Sequence, residues 1–161
     1  MTTMFVTPDQ DAIVCEIHIA APPERVFQAL TDPNQLAQWW GQEGQYRLTD
    51  CQADVRPGGA WRSRGVGADG KSFQTSGEYL EVDPPRLLVY TWLADWDGGT
   101  KSMVRFELVS SGDGTLVKLR HSGFASQPET GKHYSGGWPT VLGWMQAFVE
   151  KGETVQTRDP V

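Results

Sequence analysis

The fold is decided by the segment from residue 13 to residue 33, which reads IVCEIHIAAPPERVFQALTDP. Its first part carries apolar side chains at every second position, which is the period of a β-strand with one buried face. Pro23 and Glu24 are then typical of a helix start, because a first turn needs no proline amide hydrogen and its positive end favours an acidic side chain. Further apolar residues recur at helical spacing until Thr31-Asp32-Pro33 ends the helix. The segment therefore predicts a strand followed by a short helix.

A second short helix and six more strands are predicted downstream. Leu36, Trp39 and Trp40 are spaced as on a helix that ends at Gly41. After it, turns rich in Gly and Pro separate runs of roughly five to ten residues, which is typical of an antiparallel meander. The predicted strands are Tyr46–Val55, Gly59–Val66, Phe73–Val82, Leu87–Leu93, Ser102–Val109 and Thr115–Ser122.

The last predicted element is a long helix. From about Ser135 to Lys151 the apolar residues follow the helical period and form a stripe. Pro139 is expected in the first turn, where its missing amide hydrogen does no harm. Gly152 is expected to end the helix.

These elements make an α+β fold in a single domain, residues 1–161. A large antiparallel sheet must cover its apolar face, and the C-terminal helix is the element long enough to do so. A strongly twisted sheet wrapped on one helix leaves space between them, so we expect a pocket there. The core is predicted to span residues 12–152, and the polar tail, residues 153–161, is expected to fray.

Composition and charge exclude several classes of protein. The 20 acidic and 14 basic residues give a net charge of -6, which disfavours nucleic acid and anionic membrane surfaces as partners. No apolar run approaches the roughly 20 residues that span a bilayer, and no signal peptide is recognised at the N-terminus. Cys15 and Cys51 are too few for a disulfide framework, so a cytoplasmic location is expected.

Several motifs in this order resemble those of a known superfamily. They are residues 17–33, Trp39-Trp40-Gly41, Pro57-Gly58-Gly59, residues 77–87, Tyr90-Thr91-Trp92, residues 121–124, and Gly137-Trp138 with Leu142. Together they resemble the START-like (SRPBCC) superfamily and, within it, the family of homologues of the activator of the heat-shock-protein-90 ATPase, from about Ile13 to Val149. The resemblance implies a helix-grip fold, with a curved seven-stranded antiparallel sheet around the C-terminal helix and a hydrophobic cavity between them. Members include small-molecule carriers, aromatic polyketide cyclases, stress-response regulators and co-chaperone domains, so the fold does not settle the activity.

Tryptophan is the residue type that points to a binding function. The chain has seven Trp and four Tyr, which combine a large apolar face with one polar atom and suit a pocket for an aromatic or lipid-like molecule. The first hypothesis is therefore that a small hydrophobic molecule binds between the sheet and the C-terminal helix. The predicted ligand-binding residues are Trp61, Tyr79, Trp92, Trp96, Phe106, His121, Phe124, Trp138, Leu142 and Met145.

His121 is the candidate catalytic residue. It shares a strand face with Val117 and Leu119, from which its imidazole could donate to a ligand or transfer a proton near neutral pH. The second hypothesis is thus a cyclase- or aromatase-like enzyme in which His121 acts with Tyr79, Glu78 or an Arg. The structural alternative is a buried histidine bonded to neighbouring groups. A third hypothesis, a co-chaperone-like or stress-response interaction domain, rests on the family name.

No metal and no cofactor is predicted. The three His and two Cys are scattered without the spacing of a metal site. The expected partner is a small apolar ligand, neutral or weakly polar because the exterior is acidic. The sequence is compatible with a homodimer but locates no interface.

Overall fold

The computed structural model describes residues 2–161, which form nine strands and three helices. The strands are β1 (Thr3–Val6), β2 (Ala12–Ile19), β3 (Gly41–Gln42), β4 (Tyr46–Ala53), β5 (Ala60–Gly67), β6 (Ser72–Asp83), β7 (Leu87–Ala94), β8 (Ser102–Ser111) and β9 (Gly114–Ser122). The helices are α1 (Pro23–Thr31), α2 (Pro33–Trp39) and α3 (Pro128–Lys151). The α+β helix-grip architecture predicted from the sequence is confirmed.

All strands belong to one antiparallel sheet in the order β1-β2-β9-β8-β7-β6-β5-β4-β3. The sheet has two strands more than the seven expected, and both are short strands at its edges. All four residues of β1 are exposed, and β3 has two residues. Neither therefore carries the alternation of buried and exposed side chains by which a strand is recognised in a sequence.

Helix α3 begins seven residues earlier than Ser135, at Pro128. Few apolar side chains occur in its first turns, so the stripe that predicted the helix starts late. The sequence predicted Pro139 in the first turn, but it consequently lies inside the helix. The helix continues through Pro139 and ends at Gly152, whose φ of 70° is the left-handed conformation that favours glycine.

The C-terminal tail, residues 153–161, is packed against the domain, which corrects the expectation that it frays. Val155 is buried, and its N–H donates to the carbonyl oxygen of Gln38 at 2.8 Å. The guanidinium of Arg158 is also buried, and it donates to three backbone carbonyl oxygens from two other parts of the fold. These acceptors are Trp39 and Gly41, both at 2.7 Å, and Trp144 at 3.0 Å. Every residue has a backbone carbonyl, so the sequence does not indicate which carbonyls will accept hydrogen bonds. The docking of this polar tail could therefore not be predicted from the sequence.

The core lies between the concave face of the sheet and the helices. It includes the inward faces of β2, β8 and β9 and the buried side of α3, together with Trp39 from α2. Within residues 2–161, no helix combines the length and the apolar character needed to cross a bilayer.

Candidate ligand-binding cavity

The structure contains a cavity of about 60 Å³ between the two short helices and strands β4 to β7. Water occupies about 30 Å³ per molecule in the liquid, so the cavity has room for a few waters. The lining residues come from α1, α2, the segment after α2 and four strands. They are Leu30, Leu36, Trp40, Tyr46, Leu48, Cys51, Gln52, Ala53, Trp61, Ser63, Phe73, Thr75, Tyr79, Tyr90 and Trp92.

The space between the sheet and α3, where the cavity was expected, is filled by side chains. Of the predicted ligand-binding residues, Trp61, Tyr79 and Trp92 line the cavity. The other seven lie outside its lining. Phe106, His121, Phe124, Trp138, Leu142 and Met145 are core side chains with at most 4% exposure, and Trp96 is 43% exposed on the outer surface. The physical reason is size, because Trp138 and the aromatic rings that it touches occupy the volume that smaller residues would leave open.

Three indole rings of the cavity wall are held by hydrogen bonds. The N–H of Trp61 donates to the backbone carbonyl of Thr91 at 3.2 Å. Trp92 donates to the hydroxyl of Tyr134 at 3.0 Å, and Trp40 donates to the hydroxyl of Tyr46 at 3.1 Å. Since moving any of these rings would break a hydrogen bond, they form the fixed part of the wall.

The ring of Trp61 has its position because residue 77 is glycine. A Cβ atom at Gly77 would collide with the carbonyl oxygen of Thr91 and would come within 2.5 Å of the indole nitrogen of Trp61. Without that atom, the indole can reach across β6 to β7 and donate to Thr91. The close approach of these groups is the reason for a glycine inside a strand at this point.

Phe73 is the part of the wall that lies between the cavity and the outer surface. Its half-buried ring lines both the cavity and a groove on the outer surface that also contains Trp96. Its ring contacts two other rings edge-to-face, with centroid distances of 5.7 Å to Tyr46 and 5.4 Å to Trp96. The ring lies over Gly65, where a Cβ atom would collide with it. A rotation of Phe73 would therefore enlarge the cavity without breaking a hydrogen bond.

Two buried phenols line the cavity without hydrogen-bond partners in the described residues. Tyr79 is 4% exposed and Tyr90 is 8% exposed, and their ring centroids are 6.1 Å apart. Burial and the nearby charge of Asp54 raise the pKa of Tyr79 to about 12, and burial raises the pKa of Tyr90 further. Among residues 2–161, the one side-chain polar atom that is both fully sealed and without a partner is Arg62 Nε. The hydroxyls of Tyr79 and Tyr90 are therefore not sealed off by protein atoms. Both hydroxyls thus remain able to donate and accept.

The rest of the lining is polar in places but uncharged. Ser63 donates to the sulfur of Cys51 at 3.7 Å, and burial raises the pKa of the Cys51 thiol. Thr75 and Gln52 add a hydroxyl and an amide. No Asp, Glu, Lys or Arg belongs to the lining within the part of the chain that the structure describes. An apolar wall with a few polar groups is typical of sites for small molecules.

His121 is fully buried and does not line the cavity. Trp138 Nε1 lies 2.9 Å from His121 Nδ1, and Ser102 Oγ lies 2.7 Å from His121 Nε2. An indole nitrogen only donates, so Nδ1 is the acceptor and Nε2 carries the hydrogen that is donated to Ser102. Burial lowers the pKa of His121 to about 3, which keeps the ring neutral. Its two ring nitrogens connect β9 to β8 and to α3, which is the structural alternative considered for this residue.

Sequence reasoning missed most of the lining, including Trp40, Ser63, Phe73 and Tyr90. A signal for some of them was present, because Ser63 lies two residues after Trp61 and therefore on the same strand face. In the same way, Phe73 and Thr75 share a face of β6. No signal in the sequence indicates that α2 leaves a gap over this part of the sheet.

Most of this chain matches a known protein family. A sequence model of the family described as activator of Hsp90 ATPase homolog 1-like protein matches residues 20–150. The chain belongs to this family. The AHSA1-like family is part of the START-like superfamily, so the resemblance seen in the sequence motifs is confirmed.

Several solved structures share this fold over most of their length. A protein from Chromobacterium violaceum is 30% identical, with 87% of this chain and 97% of that chain covered and a TM-score of 0.72. A protein from Rhodobacter sphaeroides is 22% identical, with coverage of 93% and 96% and a TM-score of 0.78. An AHSA1-like protein from Aeromonas hydrophila is 24% identical, with coverage of 88% and 93% and a TM-score of 0.70. Among proteins of curated function, none matches this chain.

Proposed function

We propose that this AHSA1-like domain binds a small apolar molecule in the cavity between α1–α2 and strands β4 to β7. The observation that carries the proposal is an apolar cavity beside the packed core, with several polar groups and no charged side chain in its described lining. Sites for small molecules have this character.

The volume of about 60 Å³ is smaller than the cavities of about 300 Å³ and above that hold drug-sized ligands. Ligand entry therefore involves movement of a wall residue. Phe73 is suited to this because it has no polar anchor, whereas Trp40, Trp61 and Trp92 do. A small aromatic molecule would fit once Phe73 rotates toward the outer groove.

The test is a titration with N-phenyl-1-naphthylamine, an uncharged dye that becomes fluorescent in apolar surroundings. Excitation of the tryptophans adds energy transfer as a second signal. We expect saturable binding by the wild-type protein. Ser63→Phe places a ring in the cavity and should weaken binding at least tenfold, while the matched surface change Ser110→Phe should leave it unchanged.

Extra volume in a packed interior costs about 1–3 kcal/mol, so near-UV circular dichroism must first show that Ser63→Phe is folded. Phe73→Ala provides an independent test, because it enlarges the cavity and should strengthen dye binding. Equal affinity of wild type, Ser63→Phe and Phe73→Ala would place the dye elsewhere and reject the proposal.

A further inference from the structure

We infer that the cavity selects uncharged aromatic molecules bearing an oxygen substituent, which Tyr79 and Tyr90 hydrogen-bond. This inference rests on the proposed function and adds the chemical class of the ligand. It is carried by two largely buried tyrosines whose hydroxyls have no hydrogen-bond partner within the described residues, and by the absence of charged side chains from the described lining.

The unpartnered phenols are the first argument. Polar groups inside a protein nearly always have a hydrogen-bond partner, either protein or water, and a hydroxyl that the protein leaves accessible can take that partner from a bound molecule. Tyr134 shows the usual situation in the same molecule, since its hydroxyl accepts from Trp92 and donates to Asp97 at 2.7 Å. Within residues 2–161 the hydroxyls of Tyr79 and Tyr90 have no such partners, and both tyrosines line the cavity, where a bound molecule can supply them.

The chemistry of the phenols indicates what that molecule presents. A protonated phenol donates one hydrogen bond and accepts others, so it pairs equally with a ligand carbonyl or hydroxyl. The raised pKa values of both tyrosines keep them protonated across the physiological range. The site therefore does not supply a phenolate to neutralise a cation.

The surroundings of the phenols define the rest of the ligand. The ring of Tyr90 lies 5.4 Å from that of Trp61 in an edge-to-face arrangement, and Trp61 lies 5.5 Å from Trp92. Such walls favour a flat ring, which can stack or meet an edge. A charged ligand would lose its hydration without gaining a counter-ion, which is costly in an apolar site.

The experiment uses four bicyclic compounds of similar size: naphthalene, 1-naphthol, 1-tetralone and 1-naphthalenesulfonate. Affinities come from displacement of N-phenyl-1-naphthylamine or from quenching of tryptophan fluorescence. Tyr79→Phe and Tyr90→Phe remove only the hydroxyls. We expect at least one of these variants to lower the affinity for 1-naphthol and 1-tetralone about fivefold. The affinity for naphthalene, which makes no hydrogen bond, should change less than twofold.

Thr115→Val is the control, because the Thr115 hydroxyl is buried, already donates to the carbonyl oxygen of Ala21 at 2.7 Å, and does not line the cavity. It should leave the ratio of naphthol to naphthalene affinity unchanged. The sulfonate should bind at least tenfold more weakly than naphthalene.

The outcomes separate the two proposals. If naphthalene and 1-naphthol bind but neither tyrosine variant changes their ratio, the ligand class is wrong and the binding function stands. Tight binding of the sulfonate would also overturn the ligand class. If none of the four compounds binds to the wild type or to Phe73→Ala, both proposals fail.

Discussion

Two aromatic regions of this domain, the His121 cluster and the cavity, differ in how their polar atoms are satisfied. In the His121 cluster, formed by His121, Ser102 and Trp138, each ring nitrogen has a partner within 2.9 Å and the rings leave no space. In the cavity, the hydroxyls of Tyr79 and Tyr90 have no hydrogen-bond partner among residues 2–161. The same residue types therefore build a sealed core in one place and a receptive surface in the other, and the hydrogen bonds distinguish the two.

The largest expected effect comes from removing one phenylalanine that packs against the His121 cluster and one that lines the cavity. Phe106 is 1% exposed and packs 6.0 Å from Trp138, so Phe106→Ala should lower the free energy of unfolding by about 3–5 kcal/mol. Phe73 is half-buried beside existing space, and Phe73→Ala should cost about 1 kcal/mol. Urea denaturation measures both, and equal losses would show that the cavity is packed as tightly as the core.

Arg158 tests whether the docked tail supports the cavity wall. Its acceptors Trp39 and Gly41 flank Trp40, a lining residue, and Arg158→Ala should remove three buried hydrogen bonds to backbone carbonyls. We expect a loss of about 2–4 kcal/mol in the free energy of unfolding, together with altered dye affinity. Arg158→Lys keeps the charge but not the planar fork, and should fall between wild type and alanine. If folded Arg158→Ala binds the dye with wild-type affinity, the docked tail does not support the cavity wall.

Acid should destabilise the His121 cluster specifically. The unfolded chain takes up a proton at His121 below its ordinary pKa of 6.5, whereas the folded protein keeps this ring neutral until the pH approaches about 3. The unfolded state thus binds more protons in this interval, and the stability present above pH 6.5 is lost as the pH falls, by about 1.4 kcal/mol per pH unit from this group. In His121→Gln this contribution disappears, so the difference in unfolding free energy between the two proteins should shrink on acidification. A constant difference from pH 7 to pH 4 would contradict this assignment.

The smallest expected effect comes from two hydroxyl deletions. Tyr134→Phe leaves the indole N–H of Trp92 without its acceptor and should cost about 1–2 kcal/mol. Tyr90→Phe removes a hydroxyl that has no protein partner and should change the free energy of unfolding by less than about 0.5 kcal/mol. Thermal and urea unfolding compare the pair, and a larger loss in Tyr90→Phe would mean that its hydroxyl stabilises the empty protein.

The spacing of apolar residues predicted the strands and helices that bury one continuous face. The alternation in β2 and the helical spacing of α1 predicted both elements, because each buries one continuous face. The same reasoning missed β1, whose residues are exposed, and delayed the start of α3 from Pro128 to Ser135.

The position of the cavity was less predictable than the fold, because it depends on which side chains fill the space between the sheet and the helices. Trp138 and Phe106 were reasonable lining residues by position, and the structure shows that they occupy the volume themselves. The docking of Arg158 depends on backbone carbonyls that every sequence possesses. Such features follow from packing in three dimensions and leave no periodic trace.

The hydrogen bonds of the indole groups also make the tryptophans separate spectroscopic reporters. Five of the seven donate to different acceptors: Trp39 to Ala29 O, Trp40 to Tyr46 Oη, Trp61 to Thr91 O, Trp92 to Tyr134 Oη and Trp138 to His121 Nδ1. Each acceptor gives its N–H a distinct electronic environment, so the indole signals in a ¹⁵N–¹H spectrum should be dispersed. Signals from the cavity wall would shift when the cavity is occupied, while that of Trp138 would report on the sealed core.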